Sequence, residues 1–352
     1  MVMLYGRAWS REELLSRVGD ISQVARIKLH RLCEGYEDGV LAADLITGSG
    51  FQCTVLGSRG LDISAASFNG RSLAWRSAQM DRHPAYYEPH GLGWLRNFPG
   101  GLLTTCGLTY MGAPDRDEGV ELGLHGRYSN TPAYAIRAWG DWEGDDYMLR
   151  VEGSVREAVV FGENVCLHRT ILAHAGESNI RVRDVVRNEG FAPSPHMILY
   201  HINLGWPVVD AGSQVVIPAT ATLPRDAEAA DEGDAWMHLH EPRTNYREKV
   251  YFHTANAGPD GMATAAVVNP WLDGGLGVYV RYRPDQLPYF VQWKMLGQGT
   301  YVVGLEPANA LVLGRSKERE AGRLQTLMPG EERCYDLEIG VVSGPEAMAL
   351  LP

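Results

Sequence analysis

Lysine is scarce in this chain. Only Lys28, Lys249, Lys294 and Lys317 occur, and every other basic residue is arginine. Against 43 Asp and Glu, the 32 Lys and Arg leave a formal net charge of −11. That balance excludes a protein whose main task is gripping phosphate backbones, which needs clustered cations. Cysteine is also sparse. Cys33, Cys53, Cys106, Cys166 and Cys334 are odd in number, dispersed and without a CxxC pair, so neither a disulfide framework nor a Cys-rich zinc site is expected. No run reaches the roughly 18 to 20 apolar residues of a membrane helix, and the first residues, MVMLYGRAWSREELL, turn charged too early for a signal peptide. A cytoplasmic setting, with no nucleic acid and no membrane as partner, is the expectation. Nucleotide cradles and the nucleophile elbow are missing as well, since GxGxxG, GxxxxGK[ST] and GxSxG do not occur.

What is present is β-rich text. The 40 glycines and 19 prolines punctuate the sequence every few residues, and helical periodicity is confined to Ser10–Arg17, where Ser10 and Glu13 have capping-box spacing. Short runs rich in β-branched and aromatic residues follow: 51–56, 147–151, 179–186, 197–203, 277–282 and 301–305. Several alternate apolar and polar residues, as half-buried antiparallel strands do. The spacing predicts an all-β fold, one large antiparallel β-sandwich domain spanning residues 1–352. Within it, residues 1–35 read as an N-terminal extension and 225–234, RDAEAADEGD, as an exposed loop.

Three segments concentrate polar residues that plain strands seldom need. In Gly123-Leu124-His125-Gly126-Arg127, flanking glycines let the backbone turn sharply beside an imidazole. In Tyr200-His201-Ile202-Asn203-Leu204-Gly205-Trp206-Pro207, strand alternation puts His201 and Asn203 on one face, with Tyr200 and Ile202 on the other. In the stretch from Pro288 to Asn309, Gln292 and Lys294 share a face, and a returning strand delivers Glu306 just before Pro307. A carboxylate ending an apolar strand is partly desolvated, which raises its pKa and suits it to proton transfer near neutrality.

The order of these segments resembles the galactose mutarotase (aldose 1-epimerase) superfamily, and more closely a bacterial branch of aldose 1-epimerase-like proteins. Its His-Gly, His-x-x-Phe-Asn-Leu and Leu-Glu-Pro segments appear here as His125-Gly126, His201-Ile202-Asn203-Leu204 and Leu305-Glu306-Pro307. The resemblance runs from about residue 40 to 340. It implies a galactose mutarotase-like supersandwich, a free aldose or acidic sugar as substrate, and interconversion of anomers without a cofactor or metal. His201 would be the general acid, Glu306 the general base, and His125 would steady the sugar. Arg96 would stand for the sugar-binding arginine. Arg59, Asp62, Arg127, Asn203, Gln292, Lys294 and Asn309 complete the expected substrate-binding set, and the state leaves room for a homodimer. The His201 segment is one residue shorter than the family form and lacks its aromatic residue. Lys294 and the Arg59-Gly60-Leu61-Asp62 segment are also departures, and they point to an anionic sugar.

Other readings stay open on the residues alone. His238-Leu239-His240 puts two imidazoles on one strand face, as a metal-dependent sugar isomerase would use. Lys294 could serve a Schiff-base enzyme, and a non-catalytic carbohydrate-binding protein would share the groove without needing both His201 and Glu306.

Overall fold

The computed structural model describes residues 1–351. The expected helix is there as Arg11–Leu15, and both bonds of the Ser10/Glu13 capping box form. Nearly everything else of length is antiparallel strand. Eight strands make the largest sheet, in the spatial order 134–143, 146–158, 164–174, 179–188, 332–343, 276–282, 263–269 and 214–216. A six-stranded sheet runs Ala219–Pro224, Lys249–Ala255, Tyr289–Gly297, Thr300–Ala308, Leu199–Gly205 and Thr104–Cys106. A five-stranded sheet is built from residues 26–72.

One core joins the three sheets. Leu149, Val151, Ile180 and Leu337 from the largest sheet meet Tyr200, Ile202, Leu204, Val303 and Leu305 from the six-stranded sheet, and Leu45, Val55 and Ile63 from the third. Period-2 alternation explains the choice, because each strand turns every second side chain to this core. The N-terminal segment is part of the same body, since Arg26–Arg31 pairs with Leu41–Ile46 and Val2, Leu4 and Leu14 enter the core. A buried guanidinium crosses the interior. Arg169 is fully buried and bonds both oxygens of Asp184, while Asp62 Oδ1, Thr105 Oγ1 and Gly60 O accept from its other donors. Tyr200 donates to the same Asp184 at 2.8 Å.

The acidic segment 225–234 is exposed at most positions but touches the sheet on one side. Ala227–Ala230 forms a turn of helix with Ala229 fully buried. Glu228 and Glu232 from this segment meet Lys249 and Lys294, each at 2.8 Å. Lys249 and Lys294 face one another across adjacent strands, so two like charges side by side require two carboxylates from above.

Candidate active site

The outer face of the six-stranded sheet carries the site. His201, in Leu199–Gly205, and Glu306, in Thr300–Ala308, lie on neighbouring antiparallel strands whose register continues Ile202 opposite Leu305. Their side chains therefore stand side by side. His201 Nε2 is 3.3 Å from Glu306 Oε1, with only 6% and 3% of the side chains exposed. The two atoms are in contact without a hydrogen bond between them, and Oε1 is left without a donor.

Glycine makes room for this pair. A Cβ on Gly304 would lie 2.3 Å from Glu306 Oε1, because residues 304 and 306 point to the same face. Gly304 has no left-handed φ, so the missing side chain, rather than backbone freedom, is what the position requires. His125 arrives from the Gly123–Arg127 loop with φ +58°. The loop presses against the backbone: a Cβ on Gly123 would meet Pro89 O at 2.1 Å, and one on Gly126 would meet Tyr110 O at 2.3 Å. His125 and His201 meet edge to face, with ring centroids 5.8 Å apart.

Aromatic side chains surround the polar centre. Trp293 and Phe98 stand 5.4 and 5.5 Å from the His201 ring. Trp94 stacks on Phe98 at 4.3 Å and lies 4.7 Å from His125, and Trp75 closes on Trp293 at 6.0 Å. Trp94 lies in the short 3₁₀ helix Gly93–Asn97 and Phe98 caps its C-terminal end. Burial then sets the protonation states. It pushes the Glu306 carboxyl well above its usual range, reinforced by Glu248 and opposed by Arg225. Burial also drives His201 well below the usual imidazole value, helped by repulsion from His125, and brings His125 down to about 4. The pair is thus arranged to hold one transferable proton, resting on the carboxyl while the imidazole is free to accept.

The structure brings His125, His201, Asn203 and Glu306 to one place. Asn203 donates to Gly101 O and His201 O, and its Oδ1 is buried without a partner, as are His125 Nδ1 and His201 Nδ1. Five other expected substrate contacts, Gln292, Lys294, Arg59, Asp62 and Asn309, are engaged elsewhere. Gln292 and Lys294 point to the opposite face, because their partners across the strand pair are Leu305 and Val303 while Glu306 pairs with Val291. Lys294 is committed to Glu232 and Ala235 O, and Gln292 to His253 and Trp236 O. Arg59 is 2% exposed, and its donors serve Ser129 O, Arg82 O, Asn97 O and Asn130 Oδ1. Asp62 belongs to the Arg169 network. Asn309 is bonded to Ile198 N, His196 O and Gln325. Arg96 is 73% exposed beside Glu88, and Arg127 is exposed next to the His125 loop.

The metal alternative finds no donor set. His238 is exposed, His240 Nδ1 sits 2.6 Å from Glu241 O, and among the described residues no group of three or more His, Cys, Asp or Glu could hold an ion. Sequence reasoning missed Trp75, Trp94, Phe98 and Trp293 as site walls. Alternation alone does not reveal them; that takes the register of the two strands, in which Trp293 pairs with Gly304 and so shares the face of Glu306.

With this geometry in place, comparison with known families is decisive at the family level. The chain belongs to the DUF4432 family. The match, to a domain of unknown function, covers residues 37–341. No curated protein matches the chain. Among solved structures, this DUF4432 chain is similar to a protein described as a putative aldose 1-epimerase from Klebsiella pneumoniae, with 24% identity, TM-score 0.87, and 94% of this chain and 88% of the other covered. It is also similar to a galactose mutarotase-like protein from Clostridium acetobutylicum, at 11% identity and TM-score 0.65, covering 91% and 99%. A galactose 1-epimerase from Lactobacillus acidophilus aligns at 13% identity and TM-score 0.60, with 91% and 99% covered. These likenesses establish a galactose mutarotase-like sandwich for the DUF4432 chain.

Proposed function

We propose that the protein is an aldose 1-epimerase-like isomerase that interconverts the anomers of a free aldose by opening and closing its ring. The observation that carries this reading is the His201–Glu306 pair, 3.3 Å apart and desolvated under aromatic side chains. Anomer exchange needs one group to take the proton of the anomeric hydroxyl and another to give a proton to the ring oxygen. The C1 to ring-oxygen bond then breaks to leave an aldehyde, the C1–C2 bond rotates, and closure on the other face reverses both transfers. A carboxyl and an imidazole sharing one proton meet that requirement in either direction. In the assignment supported by the family resemblance, the shared proton first passes from Glu306 to His201, which then acts as the acid towards the ring oxygen while Glu306, now a carboxylate, is the base at the anomeric hydroxyl. His125 supports the sugar from the side. A neutral His125 suits this supporting role, because its buried Nδ1, without a partner, can meet a sugar hydroxyl.

Exchange NMR between the two anomeric C1 signals, across pentoses, hexoses, deoxy and acidic sugars, tests the reading. Acceleration over the spontaneous rate is expected for at least one sugar, with Glu306→Gln and His201→Asn each losing about 10² to 10⁴-fold in kcat/KM. No acceleration on any sugar of the panel would sink the proposal. Acceleration that survives Glu306→Gln would reject the assigned chemistry.

A further inference from the structure

We infer that Glu248 is a positioning residue: held in turn by Arg225, it fixes the indole of Trp293 against His201 and so completes the wall of the site. This deepens the proposed function and rests on it. Strand 289–297 is gripped on both faces by one segment, residues 225–248, which links the strands Ala219–Pro224 and Lys249–Ala255. Trp293 and Lys294 are consecutive, so alternation turns them to opposite faces. On the far face Lys294 Nζ meets Glu232 Oε2 at 2.8 Å, and on the site face Trp293 Nε1 donates to Glu248 Oε2 at 2.9 Å. The two ends of the segment meet beside that indole. Arg225 Nη2 reaches Glu248 Oε1 at 3.1 Å, and its Nε bonds Asp226 at 2.8 Å. The backbone beneath continues the ladder: Arg225 N donates to Val250 O at 2.9 Å, Val250 lies opposite Trp293, and Trp293 opposite Gly304.

The bond to Glu248 is what gives Trp293 its direction. The ring is only partly buried, and its contacts with Trp75 and Phe98, at 6.0 and 6.4 Å between centroids, are dispersive and tolerate rotation. An N–H donated to a carboxylate is charge-assisted, roughly twice as strong as a neutral bond, and has a preferred angle. Here it holds the indole edge to face with His201, at 5.4 Å between centroids and 80° between planes. Arg225 leaves Glu248 fewer alternatives by taking its second oxygen. Both side chains lie outside the core, 27% and 49% exposed, so replacing either leaves the packing of the three sheets untouched. Trp94 is held differently, by a buried neutral bond to Ser129 at 3.1 Å, which makes it an internal control.

A double-mutant cycle tests the inference, with the sugar of the panel that is turned over fastest. Rates are taken where kcat/KM is independent of pH, so that the field of Glu248 on the protonation of Glu306 does not enter. Glu248→Ala should lower kcat/KM about 3- to 10-fold, less than loss of a buried bond would because Glu248 is half exposed. Trp293→Phe should cost a similar factor. In the Trp293→Phe background, Glu248→Ala should then cost less than about 2-fold, since its effect passes through the indole. Glu248→Gln keeps an acceptor for Nε1 and should restore most of the loss. The ¹H–¹⁵N signal of the Trp293 indole, assigned by its disappearance in Trp293→Phe, reads the same contact without turnover. It should move upfield in Glu248→Ala and less far in Glu248→Gln and Arg225→Gln, while the Trp94 signal stays in place. Losses that multiply in the double variant, or a Trp293 signal unmoved by Glu248→Ala, would overturn the inference. Turnover of no sugar, with the indole signal moving as expected, would instead reject the isomerase reading and leave the hold of Glu248 on Trp293 standing.

Discussion

At the scale of single residues, burial is the dominant electrostatic influence. His125, His196 and His253 are each brought down to about 4, chiefly by desolvation. An imidazole depressed in the folded state leaves the unfolded chain binding more protons between that value and its ordinary 6.5. The stability these rings contribute is therefore complete above pH 6.5 and is lost as pH drops from 6.5 towards 4. Each such ring should take up close to one proton on unfolding near pH 5, so His253→Gln should lower the uptake measured there by about one, and an unchanged uptake would contradict the burial of that ring. His196 has a structural partner that makes the point concrete: its Nε2 meets Tyr335 OH at 2.7 Å and its Nδ1 meets Leu108 O at 3.0 Å. A charged ring could not offer Leu108 and Tyr335 the same pattern without forcing the tyrosine to accept.

At the scale of strands and loops, alternation governs what each side chain can do. Gly304→Ala should keep the fold, because the backbone there is not left-handed, while the added methyl displaces the Glu306 carboxylate. A displacement of about 1 Å at a catalytic group costs on the order of 10²-fold, measurable as a fall in kcat/KM with an unchanged circular dichroism spectrum. Lys294→Met behaves oppositely. It strips Glu232 of its ammonium partner and should cost about 3 kcal/mol in urea unfolding while leaving the ratio of rates on charged and neutral sugars untouched. These contrasts show what could be read from the chain beforehand. The capping box, the Phe51–Leu56 strand and the shared face of His201 and Asn203 follow from local spacing, and the structure has all three. The side to which Gln292 and Lys294 turn was not legible, because alternation defines two faces but not which one meets the core. That decision belongs to the pairing of distant strands and to Glu228 and Glu232, whose segment carries no apolar periodicity to announce that it touches the sheet.

At the scale of the whole molecule, one core is shared by three sheets and crossed by a buried ionic network. Arg169→Met would leave Asp62 and Asp184 facing each other without their common cation. Removing one member of a buried pair costs about 3–5 kcal/mol, so the variant should unfold at markedly lower denaturant, and a midpoint like that of the parent would show the network to be dispensable. The same interior places Tyr200 directly behind His201 in sequence, its hydroxyl held by Asp184, so loss of Arg169 should also loosen the strand that presents the imidazole. The aromatic enclosure has a practical corollary. Three of the chain's nine tryptophans, Trp75, Trp94 and Trp293, stand in it, so about a third of the intrinsic emission originates beside His201 and gives the protein its own optical gauge of events at the pair.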